Sequence, residues 1–469
     1  MASFNDRIVD VLSGGLVDRL FPSSRKLIPG INELYELELA FYENQILDEA
    51  GLVRNAGYFA RVGDTLTRHF LMCTGEPLRL PNHSSSRLRS FFEGNIFRTG
   101  YATHGLFPYR GKFHPQMVKG LLNAMGLKPG DVVLDPMMGS GTVPVEACLM
   151  GINSIGIDAS PFCRFMAQTK VDALTMSLTR ARKALGNSKE VFAYFQRKVG
   201  RAERGRKSGA RNARRSPMGV MEPAGDYALT GDHPELPEGS KEASDTRNLL
   251  LLAYLDAVGY SERSERKSPF EQFEAILDRY LFVVEKIQRV LHGVEGELGK
   301  ATVEEGDARS LSIRPDSIDA ILFSPPYSFA IDYLDNDAFH LNYIGADMDH
   351  LQEIMVGLRG RNLEEKFARY KDDMDRILSE CARVLRPGHF CAIVVGTNNN
   401  QLSKIMGVEP AEVPGLHEII AEMSGKYNLS LARTMSRSIV GISNTMRREY
   451  ILLLEKAKKI SEGKITKNH

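Results

Sequence analysis

The sequence of 469 residues predicts an α/β fold: a doubly wound, mostly parallel sheet closed by a C-terminal antiparallel hairpin, with a helical N-terminal region and a helical insertion. Three observations carry this expectation. Short apolar runs ending at Asp135, Asp158 and Asp307 alternate with helical patterns, as βα units do. A fourth run, Ile318 to Tyr327 (IDAILFSPPY), is apolar and stopped by two prolines, so it reads as a buried strand whose carboxyl end is a rigid, extended loop. Near the C-terminus, LARTMSRSIV and REYILLLEK flank a polar turn, which reads as a hairpin.

Composition sets the bounds. The length suits two or three domains or one elaborated domain. A net charge of +1 announces no nucleic-acid partner, so any such surface must be local. Cys73, Cys148, Cys163, Cys381 and Cys391 show neither CxxC nor Cys/His ligand spacing, which favours a reduced cytoplasmic protein without a zinc site. No run approaches the roughly 18 apolar residues of a membrane span, and MASFNDRIVD lacks a signal-peptide core. A soluble intracellular protein is expected.

Residues 1–100 form a helical accessory region, with helical patterning from Ile31 to Leu47 and a polar loop from Pro81 to Ser86. Its Arg79, Arg87, Arg89 and Arg98 read equally as contacts to a phosphate backbone or as solvated residues on a helical cap.

The core begins with residues 101–170. The segment YRGKFHPQMV leads into an amphipathic helix, Pro115 to Met125, and DVVLDP starts a strand. The loop Asp135, Pro136, Met137, Met138, Gly139, Ser140, Gly141, Thr142 then runs into a helix stopped at Gly151. Glycines between strand and helix let backbone amides approach a ligand at the positive end of a helix. The next strand, SIGID, ends in Asp158, where a ribose diol would be held. The loop is neither GxGxxG nor a Walker sequence, which favours a nucleoside-bearing ligand other than a hydride cofactor or a nucleoside triphosphate.

Residues 171–299 interrupt the alternation and read as an insertion, with helices from Met176 to Val199 and from Phe270 to Leu291. Between them Arg197, Lys198, Arg201, Arg204, Arg206, Lys207, Arg211, Arg214 and Arg215 crowd together, ahead of a proline- and glycine-rich loop. This run reads either as an arm that tracks phosphates or as a solvated linker.

Residues 300–457 resume the core. ATVEEGDAR is a strand ending near Asp307, and the IDAILFSPPY strand follows. Ala330 to Gly345 is polar and partly helical, with Asp332 and Tyr333 lining a pocket or lying on a solvated helix face. A long helix, Asn362 to Leu385, is stopped by Pro387 and Gly388 before the strand at 390–396 and the closing hairpin; residues 458–469 form a tail.

The pairing of DPMMGSGT with SPPY resembles the S-adenosylmethionine-dependent amino-methyltransferases of DNA, the N4-cytosine and N6-adenine type. YRGKFHPQMV, SPPYSFAIDYLDNDAFHLNYIG and RREYILLLEK are also similar to sequences of that family, over residues 101–170 and 300–457. Met137 and Met138 stand where the family commonly has an aromatic residue, and they keep the site apolar. The resemblance implies a Rossmann-like class I methyltransferase with S-adenosylmethionine as cofactor. It implies DNA as partner, a duplex with the target base flipped out, and it allows a cognate restriction nuclease as a second partner.

The catalytic residues so implied are Ser324, Pro325, Pro326 and Tyr327. The cofactor residues are Lys112, His114, Asp135, Pro136, Gly139, Gly141, Thr142, Asp158, Asp307 and Ala308, with Asp158 on the ribose, Asp307 on the adenine amine and Gly139 and Gly141 at the methionine end. Lys112 and His114 also read as groups that merely cap a helix start. Serine as the first residue of the catalytic loop resembles cytosine-modifying members more than adenine-modifying ones. An RNA methyltransferase acting on transfer-RNA guanosine and a non-catalytic nucleic-acid-binding regulator are the alternatives.

Overall fold

The structure, a computed structural model, describes residues 16–74, 100–109, 111–197, 240–263, 268–293, 296–326, 333–396, 399–410, 412–439 and 448–458. Tyr327, Asp332, the arginines at 79, 87, 89 and 98, and the basic run beyond Arg197 lie outside these residues.

The N-terminal region carries the expected helix, Leu34–Ile46, but it is not purely helical. Strands β1 (Arg25–Leu27), β2 (Phe59–Val62) and β3 (Thr65–Leu66) pair as a small antiparallel sheet. Segments of two to four residues are too short to show a two-residue period, which is why the sequence reads there as helix and loop. Tyr35, Leu39 and Tyr58 share one apolar cluster with Met117 and Leu121 of the helix Pro115–Ala124 and with the sheet residues Val133 and Ala320. At this junction the buried carboxylate of Glu43 accepts hydrogen bonds from the Gly57 amide (2.7 Å), the Tyr58 amide (3.1 Å) and Asn123 Nδ2 (2.8 Å).

The remaining strands form one seven-stranded sheet: β4 (Val132–Asp135), β5 (Asn153–Asp158), β6 (Ala301–Glu305), β7 (Ile318–Phe323), β8 (Leu385–Gly396), β9 (Leu429–Ser438) and β10 (Arg448–Lys456). Their spatial order is β6-β5-β4-β7-β8-β10-β9. Pairings from β6 through β8 are parallel, and β10 runs antiparallel to both β8 and β9, which is the expected closing hairpin. All six residues of β7 are buried, as a central parallel strand covered on both faces requires. The polar Asp319 within it is satisfied: its carboxylate accepts the Val132 amide at 2.9 Å and pairs with Arg386.

One boundary differs from the sequence reading. The helix Leu363–Val384 passes directly into β8, which begins at Leu385 rather than Phe390. Pro387 and Gly388 lie inside this strand, where Ile318 pairs with Leu385 but Ala320 pairs with Phe390. A bulge absorbs the proline and glycine, so they break the ladder without ending it.

Within residues 171–299, the helices Thr179–Gly186, Lys241–Arg263 and Pro269–Gly293 pack on the core. Leu249, Tyr254 and Tyr280 join Phe107, Phe162, Met166 and Leu341 in one apolar cluster. The Phe107 amide donates to Tyr280 Oη at 2.8 Å, and Tyr280 donates to Asp256, which also pairs with Arg279. These contacts pin the segment that leads to Tyr109 and Lys112.

Candidate active site

The chain leaves β4 for β5 on one side and returns to β7 on the other, so a crevice opens at the carboxyl ends of these strands. A cleft of about 980 Å³, open to solvent, occupies it. Among the segments that meet there are Tyr109 with Gly111 to Phe113, the loop from Pro136 to Thr142, the tip of β5, the tip of β6 and the end of β7.

Backbone conformation builds the loop. Gly139 and Gly141 have φ of +49° and +77°, values that L side chains rarely adopt. Their roles differ. Gly139 lines the cleft, whereas Gly141 lies against helix Pro161–Asp172, where an added Cβ would fall 2.6 Å from Ala167 Cβ. Lys170 of the same helix, fully buried, donates from Nζ to the Ser140 carbonyl at 3.1 Å. Burial pushes that amine well below its ordinary pKa.

The strand-end acids are each engaged. Asp158 accepts the Gly139 amide on Oδ2 and the Ser160 amide on Oδ1, both at 2.8 Å, so it ties the glycine loop to the β5 tip. Burial raises its pKa despite these bonds. Asp135 accepts the Met137 amide on Oδ1 at 3.1 Å; its Oδ2 is buried without a hydrogen-bond partner, and burial pushes its pKa well up. Asp307 lines the cleft with its side chain 38% exposed, in the grip of Arg309. Burial raises its pKa, but the hydrogen bonds from Arg309 outweigh that and hold it below the usual carboxylate value.

The structure brings Lys112, Pro136, Gly139, Thr142, Asp158, Asp307, Ala308, Ser324 and Pro326 into one cleft lining. His114, Asp135, Gly141 and Pro325 fall outside that lining: His114 is the N-cap of helix Pro115–Ala124, and the other three are immediate chain neighbours of lining residues. Lys112 donates to the His104 carbonyl at 3.0 Å, and burial brings its amine down to about 8.

Several lining residues escape a sequence reading. Tyr109 places its hydroxyl 3.4 Å from Cys163 Sγ, Asp337 comes from the helix Tyr333–Tyr343, and Ile354, Met355 and Val356 supply an apolar wall. Tyr109 stands inside the aromatic-rich YRGKFHP segment, the one signal that marks any of them. Among the described residues, no group of histidines, cysteines and acids could hold a metal ion, and no helix is long and apolar enough to cross a membrane.

The donor set suits a zwitterionic nucleoside ligand. It offers an amine at Lys112, loop amides at a helix start, an anionic acceptor at Asp307 and an apolar wall beside it. Comparison with known proteins agrees. The family model UPF0020, described as RMKL-like, methyltransferase domain, matches residues 106–203, which include the whole glycine loop. A type II methyltransferase, M.MjaII of Methanocaldococcus jannaschii, is 52% identical over 68 residues, 14% of this chain and 13% of that protein. Another, M.BsoBI of Geobacillus stearothermophilus, is 23% identical over 303 residues, 56% of this chain and 57% of that protein. A tRNA (guanine(10)-N2)-dimethyltransferase of Methanothermobacter thermautotrophicus is 40% identical over 52 residues, 11% of this chain and 16% of that protein. The chain thus spans at most 57% of the length of these relatives.

Sheet order, cleft position and the match over the glycine loop define an α/β class I methyltransferase fold. The cofactor that belongs to this fold and cleft is S-adenosylmethionine.

Proposed function

We propose that this protein transfers the methyl group of S-adenosylmethionine to an exocyclic amine of a base in DNA, with N4 of cytosine favoured over N6 of adenine. The observation that carries this reading is that Ser324 and Pro326, at the carboxyl end of β7, line the same cleft as the glycine loop, Asp158 and Asp307. Similarity to two type II methyltransferases supports DNA as the substrate.

When bound, the cofactor supplies an electrophilic methyl group, so the protein has chiefly to position the amine. A base amine is a poor nucleophile because its lone pair is delocalised into the ring. The Ser324 hydroxyl and the Pro325 carbonyl would accept the amine hydrogens and favour a pyramidal nitrogen whose lone pair points at the donor, and the proton that the methylated nitrogen gives up would pass to solvent. The two prolines hold that carbonyl rigidly. Lys112 and the loop amides take the methionine end, Asp158 the ribose and Asp307 the adenine amine. Tyr327 stacks on the acceptor base, which a duplex can present only when it is flipped out. A cognate restriction nuclease is the partner that this activity would accompany.

Incubation with methyl-labelled cofactor and either genomic DNA or total RNA, followed by digestion to nucleosides, tests the proposal. Label is expected in deoxycytidine; label in deoxyadenosine would move the target to N6. The second reading is methylation of guanosine N2 in transfer RNA, favoured by the 40% identical segment of the dimethyltransferase. Label confined to RNA would establish it and sink the DNA proposal, and no label in either would leave a binding module. Ser324→Ala should abolish transfer while leaving cofactor binding nearly intact.

A further inference from the structure

Arg309, two residues beyond Asp307, is only 8% exposed, and its guanidinium reaches three separate parts of the molecule. Nε donates to both carboxylate oxygens of Asp307, at 2.9 and 3.0 Å, and Nη2 donates to Oδ2 at 2.8 Å. Nη2 also donates to the Ile354 carbonyl at 2.9 Å, and Nη1 donates to Asp373 Oδ1 at 2.8 Å. Asp373 belongs to the long helix Leu363–Val384 and is paired in turn with Arg359.

The consequence is geometric. Ile354 begins the apolar wall of the cleft, and Asp307, which lines the same cleft, shares the Arg309 Nη2 donor with it. A single planar fork therefore fixes both the direction of a carboxylate and the position of the wall beside it, anchored to a helix that does not line the cleft. Lysine, a point charge on a flexible stem, cannot hold all three partners at once.

We propose that Arg309 is a positioning residue for recognition of the cofactor's nucleobase. It holds Asp307 as an anionic acceptor against the apolar wall, so that the cleft takes a base bearing an exocyclic amine and rejects one bearing a carbonyl oxygen at that place. Arg309 touches neither cofactor nor methyl acceptor and acts through Asp307. The proposal rests on the cofactor assignment above.

The test is calorimetric binding of S-adenosylhomocysteine and its deaminated counterpart, S-inosylhomocysteine, to the full chain. The wild-type protein should prefer the adenine ligand by about tenfold or more, the worth of one good hydrogen bond replaced by an acceptor-acceptor clash. Arg309→Lys should bring the ratio towards one. Asp373→Asn, which loosens one arm of the fork and leaves Asp307 in place, should give an intermediate ratio and serves if the lysine variant does not fold. An unchanged ratio in the variants, or equal loss of affinity for both ligands, overturns the proposal. Equal binding of the two ligands by wild type overturns it as well, whereas wild type that binds neither removes the cofactor assignment beneath it.

Discussion

Replacing Gly141 with alanine should cost stability, and the cost can be worked from two terms. The first is backbone strain: Gly141 sits at φ +77°, and an L residue there costs about 1–2 kcal/mol. The second is steric. The new methyl would lie 2.6 Å from Ala167 Cβ and 2.9 Å from Ala167 Cα, on a helix that cannot retreat without disturbing the cluster around Phe162 and Met166. Overpacking of this kind costs about 1–3 kcal/mol. Together the two give about 2–5 kcal/mol, measurable by urea unfolding of the full chain. Gly139→Ala supplies the contrast, since its φ is also positive but the nearest atom, Tyr109 Cε1, is 3.6 Å away, an ordinary contact. Only the strain term applies, so the loss should be about 1–2 kcal/mol, with the effect concentrated on ligand affinity because Gly139 lines the cleft. A double-mutant cycle with Ala167→Gly isolates the contact, and the coupling should reach about 1 kcal/mol or more. A Gly141→Ala protein within about 0.5 kcal/mol of wild type, or a coupling near zero, would mean that neither the backbone at 141 nor Ala167 excludes a side chain there.

Two pH dependences follow from buried groups. The Lys112 amine is brought down to about 8 by burial, so its charge, and with it attraction for a carboxylate, fades as pH rises through that value. S-adenosylhomocysteine affinity should fall above pH ~8 in wild type more than in Lys112→Met, the variant correcting for the ligand's own titration; parallel profiles would exclude the pairing. His104 and His69 are buried, and burial lowers them to about 4 and about 3, so both stay neutral in the folded protein while the unfolded chain protonates near 6.5. Their contribution is fully present above pH ~6.5 and is lost as pH falls towards about 4 for His104 and about 3 for His69, with a slope approaching about 1.4 kcal/mol per pH unit for each group. Glu146 accepts bonds from Tyr101 Oη (2.6 Å) and His104 Nε2 (2.7 Å) and pairs with Lys119 at 2.9 Å. Glu146→Gln should therefore unfold at markedly lower urea concentrations than wild type; a shift smaller than that of an exposed control such as Glu422→Gln would remove the network from the stability argument.

What the sequence makes legible is what is encoded locally. Glycines between a strand and a helix, acids at strand tips and prolines that stop an apolar run each force a backbone geometry within a few residues, and those features are where they were expected. Arg309 and Lys170 were not legible, because a basic residue in a loop or helix looks solvated until packing buries it. The wall from Ile354 to Val356 arrives from a segment with no periodic signal, and the helix Lys241–Arg263 begins within a stretch rich in acids, glycine and proline. Lys112 and His114, two residues apart, carry the same two readings in the sequence, and the fold separates them: His114 becomes a helix N-cap while the lysine lines the cleft.

The strand-end acids change meaning once these partners are known. In sequence they stand as ligand contacts, yet in the structure Asp158 already binds two backbone amides and Asp307 is already gripped by a guanidinium. An acid so engaged does two jobs. It fixes the chain around the cleft, and its own carboxylate is held in one orientation, so little ordering is left to be done when a ligand arrives. Loss of Asp158 should accordingly damage binding by loosening Gly139 as well as by removing an acceptor. Asp158→Asn keeps one acceptor oxygen but opposes an amide hydrogen to one of two amide donors, at 2.8 Å from either. It should therefore cost both affinity and thermal stability, where a pure ligand contact would cost affinity alone. Unchanged melting beside weakened binding would return Asp158 to the simpler role.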